Sequence, residues 1–131
     1  MAIARRMGYG KKIVIGDKSI KNAETSSKIM NEAGFDTEPV EMDLSLRESI
    51  QNLIKKAQDF GKISMLVNAA GVSPSQASIE TILKVDLYGT AVLLEEVGKV
   101  IKKGAFITGS TFLVDGGATA SYFYGPLKPK A

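Results

Sequence analysis

Short apolar runs alternate along this 131-residue chain with longer stretches in which apolar residues recur every three or four positions. The run "KKIVIGD" (11–17) predicts a short buried strand that ends on a polar residue. Positions 19–33 suit a helix, with Asp17 or Ser19 as its cap and Gly34 as its stop. "TEPVEMD" (37–43) suits a second strand, and Pro39 places it at an edge because proline has no N–H for a ladder. From 46 to 60, Leu46, Ile50, Leu53, Ile54, Ala57 and Phe60 fall at helical spacing and Gly61 closes the segment, which predicts an amphipathic helix. A third strand is expected at 63–67, then a loop to Ser75, then a long, mainly helical stretch to Lys103 stopped by Gly104. "AFITGSTFLVDGG" (105–117) reads as strand on either side of a Gly-Ser turn, and "PLKPK" as an extended, solvated tail. At the start, "AIARRMG" (2–8) reads as the last two turns of a helix with no capping residue before it.

Strands alternating with helices of this length predict βαβ units, a parallel sheet and an α/β fold in a single domain over 1–131. In such a sheet, ligands sit at the carboxyl ends of the strands. Asp17 and the segment Asn68, Ala69, Ala70, Gly71 fall at those ends. Small residues there let a backbone approach a flat or charged ligand with no Cβ between, and an Asn can anchor the loop through its amide. A tight turn after a buried strand needs the same residues, so the tetrapeptide by itself leaves both readings open.

Composition narrows the chemistry. The 44% apolar content suffices for a core of ordinary size. Cysteine and histidine are both absent, which excludes disulfides, thiol nucleophiles, most zinc sites and imidazole acid/base catalysis. Proton chemistry then falls to Lys, Tyr, Asp, Glu or water. There is no apolar run long enough to span a bilayer, and "MAIARRMGYGKK" lacks the apolar stretch of a signal peptide, so a cytoplasmic protein without a membrane partner is expected. The net charge is only +3, and its basic pairs (Arg5 with Arg6, Lys11 with Lys12, Lys55 with Lys56, Lys102 with Lys103) fall at predicted helix ends and exposed faces without interleaved aromatics. Nucleic acid is therefore not an expected partner.

Several segments together resemble the short-chain dehydrogenase/reductase family. "IVIGD" is similar to that family's second strand with its terminal acid at Asp17, and "EMDLS" to its third, with Asp43 where the family places an acid beside the adenine. "LVNAAG" resembles the Asn-Asn-Ala-Gly signature with Ala69 in its second position, and "FITGSTFLVDGG" resembles the C-terminal strand and turn. The resemblance implies a Rossmann-like parallel sheet with flanking helices, incomplete relative to the family. It also implies an NAD- or NADP-dependent oxidoreductase acting on a small alcohol or carbonyl, with Asn68–Gly71 beside the cofactor. Charge alone favours NAD: a carboxylate at Asp17 accepts from ribose hydroxyls and repels a 2′-phosphate, although Lys18 beside it works the other way. "KVDLYG" puts Asp86 at the position of the family's Asn, which helps to hold a proton-relay water; an Asp accepts from water but donates no amide proton.

The departures are as informative. Neither the family's first strand and glycine-rich phosphate loop nor its catalytic Ser and Tyr-x-x-x-Lys segment is in this sequence. Tyr124 and Lys128 have that spacing, but Gly125, Pro126 and Pro129 oppose the helix on which the spacing works. "MGYG" precedes a strand instead of following one and reads as a helix stop. The expectation is the nucleotide-binding half of such an enzyme with its closing strand attached, either a partial record of a longer enzyme or a truncated product, inactive as written and oligomeric. The alternative is a non-catalytic nucleotide-binding or subunit-interaction chain. A receiver-type regulator would use Asp17 and Asp43 as its acids, but leaves "NAAG" and "VDGG" unexplained.

Overall fold

The structure is a computed structural model that describes residues 2–101 and the strand at 105–108. The elements run α1 (Ala2–Met7), β1 (Lys12–Asp17), α2 (Ile20–Glu32), β2 (Asp36–Glu41), α3 (Arg47–Gln58), β3 (Met65–Asn68) and α4 (Ile79–Ile82). A π-helical turn (Leu83–Gly89), α5 (Thr90–Gly98) and β4 (Ala105–Thr108) follow. β1 and β2 pair in parallel from Lys12 opposite Asp36 to Asp17 opposite Glu41. β3 and β4 pair in parallel from Met65 opposite Ala105 to Asn68 opposite Thr108. The fold is therefore α/β with parallel strands, but the described strands form two separate pairs, with no ladder joining β1 to β3.

Both capping candidates before α2 are used, for different tasks. Ser19 is the N-cap and its Oγ accepts from Asn22 N–H at 3.3 Å, while Asp17 Oδ1 accepts from Ser19's own N–H at 2.8 Å. At the other end, Phe35 N–H reaches Met30 C=O and Gly34 N–H reaches Asn31 C=O, each at 3.0 Å. That closure needs a left-handed residue, and Gly34 supplies it at φ +93. The turn brings Thr37 of β2 under α2, where its hydroxyl lies 2.6 Å from Ser27 Oγ and its N–H donates to Asn31 Oδ1 at 2.9 Å. Both Ser27 and Thr37 are buried, so these bonds remove what would otherwise be a desolvation penalty between helix and strand.

The apolar stripe of α3 forms one wall of the core. Ile50 and Ile54 pack with Met42, Leu44, Val92, Leu93, Val97 and Ile101, which joins α3, α5 and the chain leaving β2. Two residues of the predicted stripe lie outside it. Leu46 is the extended residue before the helix and Phe60 lies past its end, and both are exposed. The Lys12 ammonium instead sits 4.7 Å from the Phe60 ring centroid.

Three boundaries differ from the expected ones. β2 stops at Glu41 because Met42 and Leu44 turn into the core, although Met42 N–H still reaches Asp17 C=O at 2.9 Å. β3 begins at Met65 instead of 63. The long helix is broken by the π-helical turn, and α5 ends at Gly98, not at Gly104. Gly104, the Gly-Ser turn at 109–110, the tail and the Tyr124/Lys128 pair lie outside the described residues. No helix among the described residues is long and apolar enough to cross a membrane.

Gly89 packs closely against the core, where an added Cβ would lie 2.6 Å from the Leu44 carbonyl oxygen and 2.7 Å from its Cγ. Gly89→Ala is expected to destabilise the fold by about 1–3 kcal/mol, the usual range for overpacking. Gly98→Ala, with open space around its Cβ position, is expected to leave stability unchanged or raised. Thermal unfolding of the two variants checks this pair.

Candidate functional site

The carboxyl ends of β1 and β2 carry two acids on adjoining turns. Asp17 is half-buried, with Oδ1 on Ser19 N–H, and its carbonyl receives Met42 N–H. One residue further, Asp43 Oδ1 accepts from Ser45 N–H at 2.9 Å and from Ser45 Oγ at 2.6 Å, while Asp43 N–H donates to Ser49 Oγ at 2.8 Å. The Ser45 hydroxyl bond is the main reason that the Asp43 carboxyl is held below its ordinary value. Partial burial opposes it, and the Ser45 N–H and the charges of Lys18 and Lys84 add to it. Asp43 is thus a fixed anion at neutral pH. An open depression beside it is lined by Lys18, Asp43, Ser45, Leu46, Ser49 and Tyr88, among others.

At the end of β3, the question raised by the small residues has a geometric answer. Asn68 is buried, its Nδ2 donates to Thr90 Oγ1 at 3.2 Å, and its Oδ1 accepts from Ala70 N–H at 3.2 Å. Asp86 Oδ1 accepts from Val72 N–H at 2.9 Å. The two side chains fasten the loop at both ends, leaving Ala69 and Gly71 exposed while Ala70 packs against the core. For Asp86, read from the sequence as a holder of water, the structure places one carboxylate oxygen on the loop backbone.

The site residues therefore fall into two groups, Asp17 with Asp43 and Asn68–Gly71 with Asp86, joined through one helix. Gly89 of that helix meets Leu44, and Thr90 meets Asn68. Ser45 and Ser49 were readable only in part: Asp-x-Ser is a common turn spacing, but Ser49 acts across a loop. Thr90 and Tyr88 carry no sequence signal, because their placement depends on the π-helical turn. Elsewhere, Arg47 bonds Glu95 at 3.0 Å and also Glu96, and Lys99 bonds Glu96 at 2.8 Å. Lys99 above all holds the Glu96 carboxyl low, and this network fastens α3 to α5. Among the described residues, no group of three or more His, Cys, Asp or Glu is placed to hold a metal.

The donor and acceptor set fits the adenosine end of a dinucleotide. Asp17 and Asp43 offer anionic acceptors, and Ala69 and Gly71 offer backbone with little side chain in front of it. The "MGYG" turn ends α1: Gly8 N–H bonds Ala4 C=O at 2.8 Å and Lys11 N–H bonds Gly8 C=O at 3.0 Å, closing the passage from α1 into β1.

Parallel strands, flanking helices and acids at the strand ends define a Rossmann-type nucleotide-binding fold. Residues 1–109 match the short chain dehydrogenase family, and the chain belongs to the short-chain dehydrogenase/reductase family. It is 37% identical over 103 residues to the short-chain dehydrogenase/reductase bsc3 of Alternaria brassicicola, an alignment covering 79% of this chain and 38% of that protein. The chain thus spans well under half the length of this curated relative. Among solved structures, it resembles a short chain dehydrogenase/reductase from Burkholderia phymatum in complex with NAD, with TM-score 0.72 and 22% identity over 82% of this chain and 43% of that one. It also resembles a metagenomic short-chain oxidoreductase in complex with NADP, with TM-score 0.70 and 23% identity over 82% of this chain and 54% of that one. At these identities the structural likeness speaks for the fold.

Because the folded-state pKa of Asp43 is depressed, its contribution to stability is present above the unfolded value, about 4, and is lost as pH falls through the folded one. Asp43→Asn is expected to be less stable than wild type at pH 7, with the gap narrowing by pH 3. Urea unfolding of both proteins at the two pH values measures that gap.

Proposed function

We propose that this chain is the nucleotide-binding half of an NAD(P)-dependent oxidoreductase of the short-chain dehydrogenase/reductase type, with NAD preferred. The observation that carries the proposal is the pair of carboxylate turns and the clamped small-residue loop at the carboxyl ends of parallel strands, held to one helix. Membership of the family supports it, as do structural relatives in complex with NAD or NADP.

Each residue has a task in this reading. Asp17 accepts from the ribose hydroxyls and repels a 2′-phosphate. Asp43 accepts from the adenine amino group, and its ionisation is secured by Ser45. Asn68 and Asp86 hold Ala69–Gly71 so that the backbone lies beside the cofactor. A bound nicotinamide dinucleotide supplies hydride chemistry toward an alcohol or carbonyl. The Tyr-x-x-x-Lys spacing in these 131 residues, Tyr124 with Lys128, is interrupted by Gly125 and Pro126, so the chain alone is expected to bind cofactor without turnover.

One observation also favours the subunit-interaction reading. Among the described residues, β1 and β3 each have a single neighbour, so each presents an open edge that another strand can pair with. Self-association at micromolar concentration is expected in analytical ultracentrifugation. A clean monomer with sharp two-state unfolding would count against it.

The cofactor assignment is tested at Asp17. Asp17→Ala is expected to weaken NAD and move the NAD/NADP affinity ratio toward NADP by about tenfold, the effect of roughly 1.4 kcal/mol. Calorimetric titration with each dinucleotide reads the ratio. An unchanged ratio would leave Asp17 as only the acceptor for Ser19 N–H.

A further inference from the structure

Tyr88 has no part in the core. Its neighbour Gly89 is buried against Leu44, while Tyr88 itself is 49% exposed and lines the depression that Asp43 faces. The contact between Gly89 and Leu44 brings the two segments together. Leu44 directly follows Asp43, and Gly89 directly follows Tyr88, so one contact with no room for a Cβ joins the segments that carry the carboxylate and the phenol, and both residues line the same depression. Lys18 also lines the depression, and the charges of Lys18 and Lys84 both act on Asp43.

We propose that Tyr88 is the stacking wall for a 6-aminopurine nucleotide, its ring lying against the base while Asp43 accepts from the exocyclic amino group. The inference rests on the dinucleotide reading above and adds a residue that the strand-end pattern does not contain. The chemistry selects this ligand class on three counts. A half-exposed aromatic ring in a depression offers a face on which any flat base stacks. An ionised carboxylate accepts but cannot donate, so it favours a base edge carrying N–H. The two ammonium groups nearby favour a ligand that also carries phosphate.

Calorimetric titration of the full chain with adenosine 5′-monophosphate and inosine 5′-monophosphate tests the proposal in wild type, Tyr88→Ala and Tyr88→Phe, each first shown by circular dichroism to be folded. Tyr88→Ala is expected to weaken both nucleotides by the same factor, roughly tenfold, because stacking ignores the exocyclic group. Tyr88→Phe, which keeps the ring, is expected to bind like wild type. Equal adenosine monophosphate affinity in wild type and Tyr88→Ala would overturn the role of Tyr88 and leave the dinucleotide reading standing. A Tyr88→Phe variant as weak as Tyr88→Ala would also overturn stacking, pointing to the hydroxyl instead. Wild type that binds NAD but neither monophosphate would overturn this inference alone, and wild type that binds none of the three would overturn both.

Discussion

The arrangement of the site depends on one close approach, the seating of the helix around Gly89 on the backbone of Leu44. There is no space between them for even one methyl group. Leu44 is buried in the core formed with α3 and α5, so the turn after β2 cannot shift without disturbing that core. The next residue of the helix, Thr90, takes the amide of Asn68, which sets the end of β3. Two strand pairs that share no ladder are thereby brought to a common helix, and their carboxyl-end loops are held in place by side-chain and backbone contacts. Packed interiors transmit position in this way because they have little free volume to absorb a displacement.

Around that contact the loops are closed by short polar side chains acting on nearby N–H groups. Asp17 on Ser19, Asp43 on Ser45, Asn68 on Ala70 and Asp86 on Val72 are four instances of one device. Each ties a backbone donor that a ligand-facing loop would otherwise leave to water. It also leaves the acids free to serve both structure and the proposed binding role. A carboxylate has about four acceptor positions, and one N–H bond orients it without exhausting them.

Much of this was readable along the chain. The α3 stripe, the strand at Lys12–Asp17 and the stop at Gly34 follow from apolar spacing and from the need for a left-handed residue, both of which are local. Asp17 and Asn68–Gly71 were legible as candidates because strand ends are where open α/β sheets bind, and Asp43 through the family resemblance. What sequence did not reveal depends on contacts between distant segments. The division into two strand pairs is a matter of neighbours, and apolar spacing reports none. The π-helical turn at Leu83–Gly89 changes which residues face inward, so Tyr88 could not be placed by a period of 3.6. Leu46 and Phe60 fitted the α3 period but lie beyond the helix at either end, where the period no longer decides burial.

The central claim is that the two carboxylate turns and the clamped loop form one binding edge. Backbone amide chemical shifts, followed by two-dimensional nuclear magnetic resonance as NAD is added to the isotope-labelled chain, test it most directly. The account predicts shifts at Lys18, Asp43 to Ser45, Ala69 to Val72 and Tyr88 that saturate together with one dissociation constant. Shifts confined to the α3–α5 face around Gln51, Lys55 and Lys99, or separate constants for the two groups of loops, would contradict it.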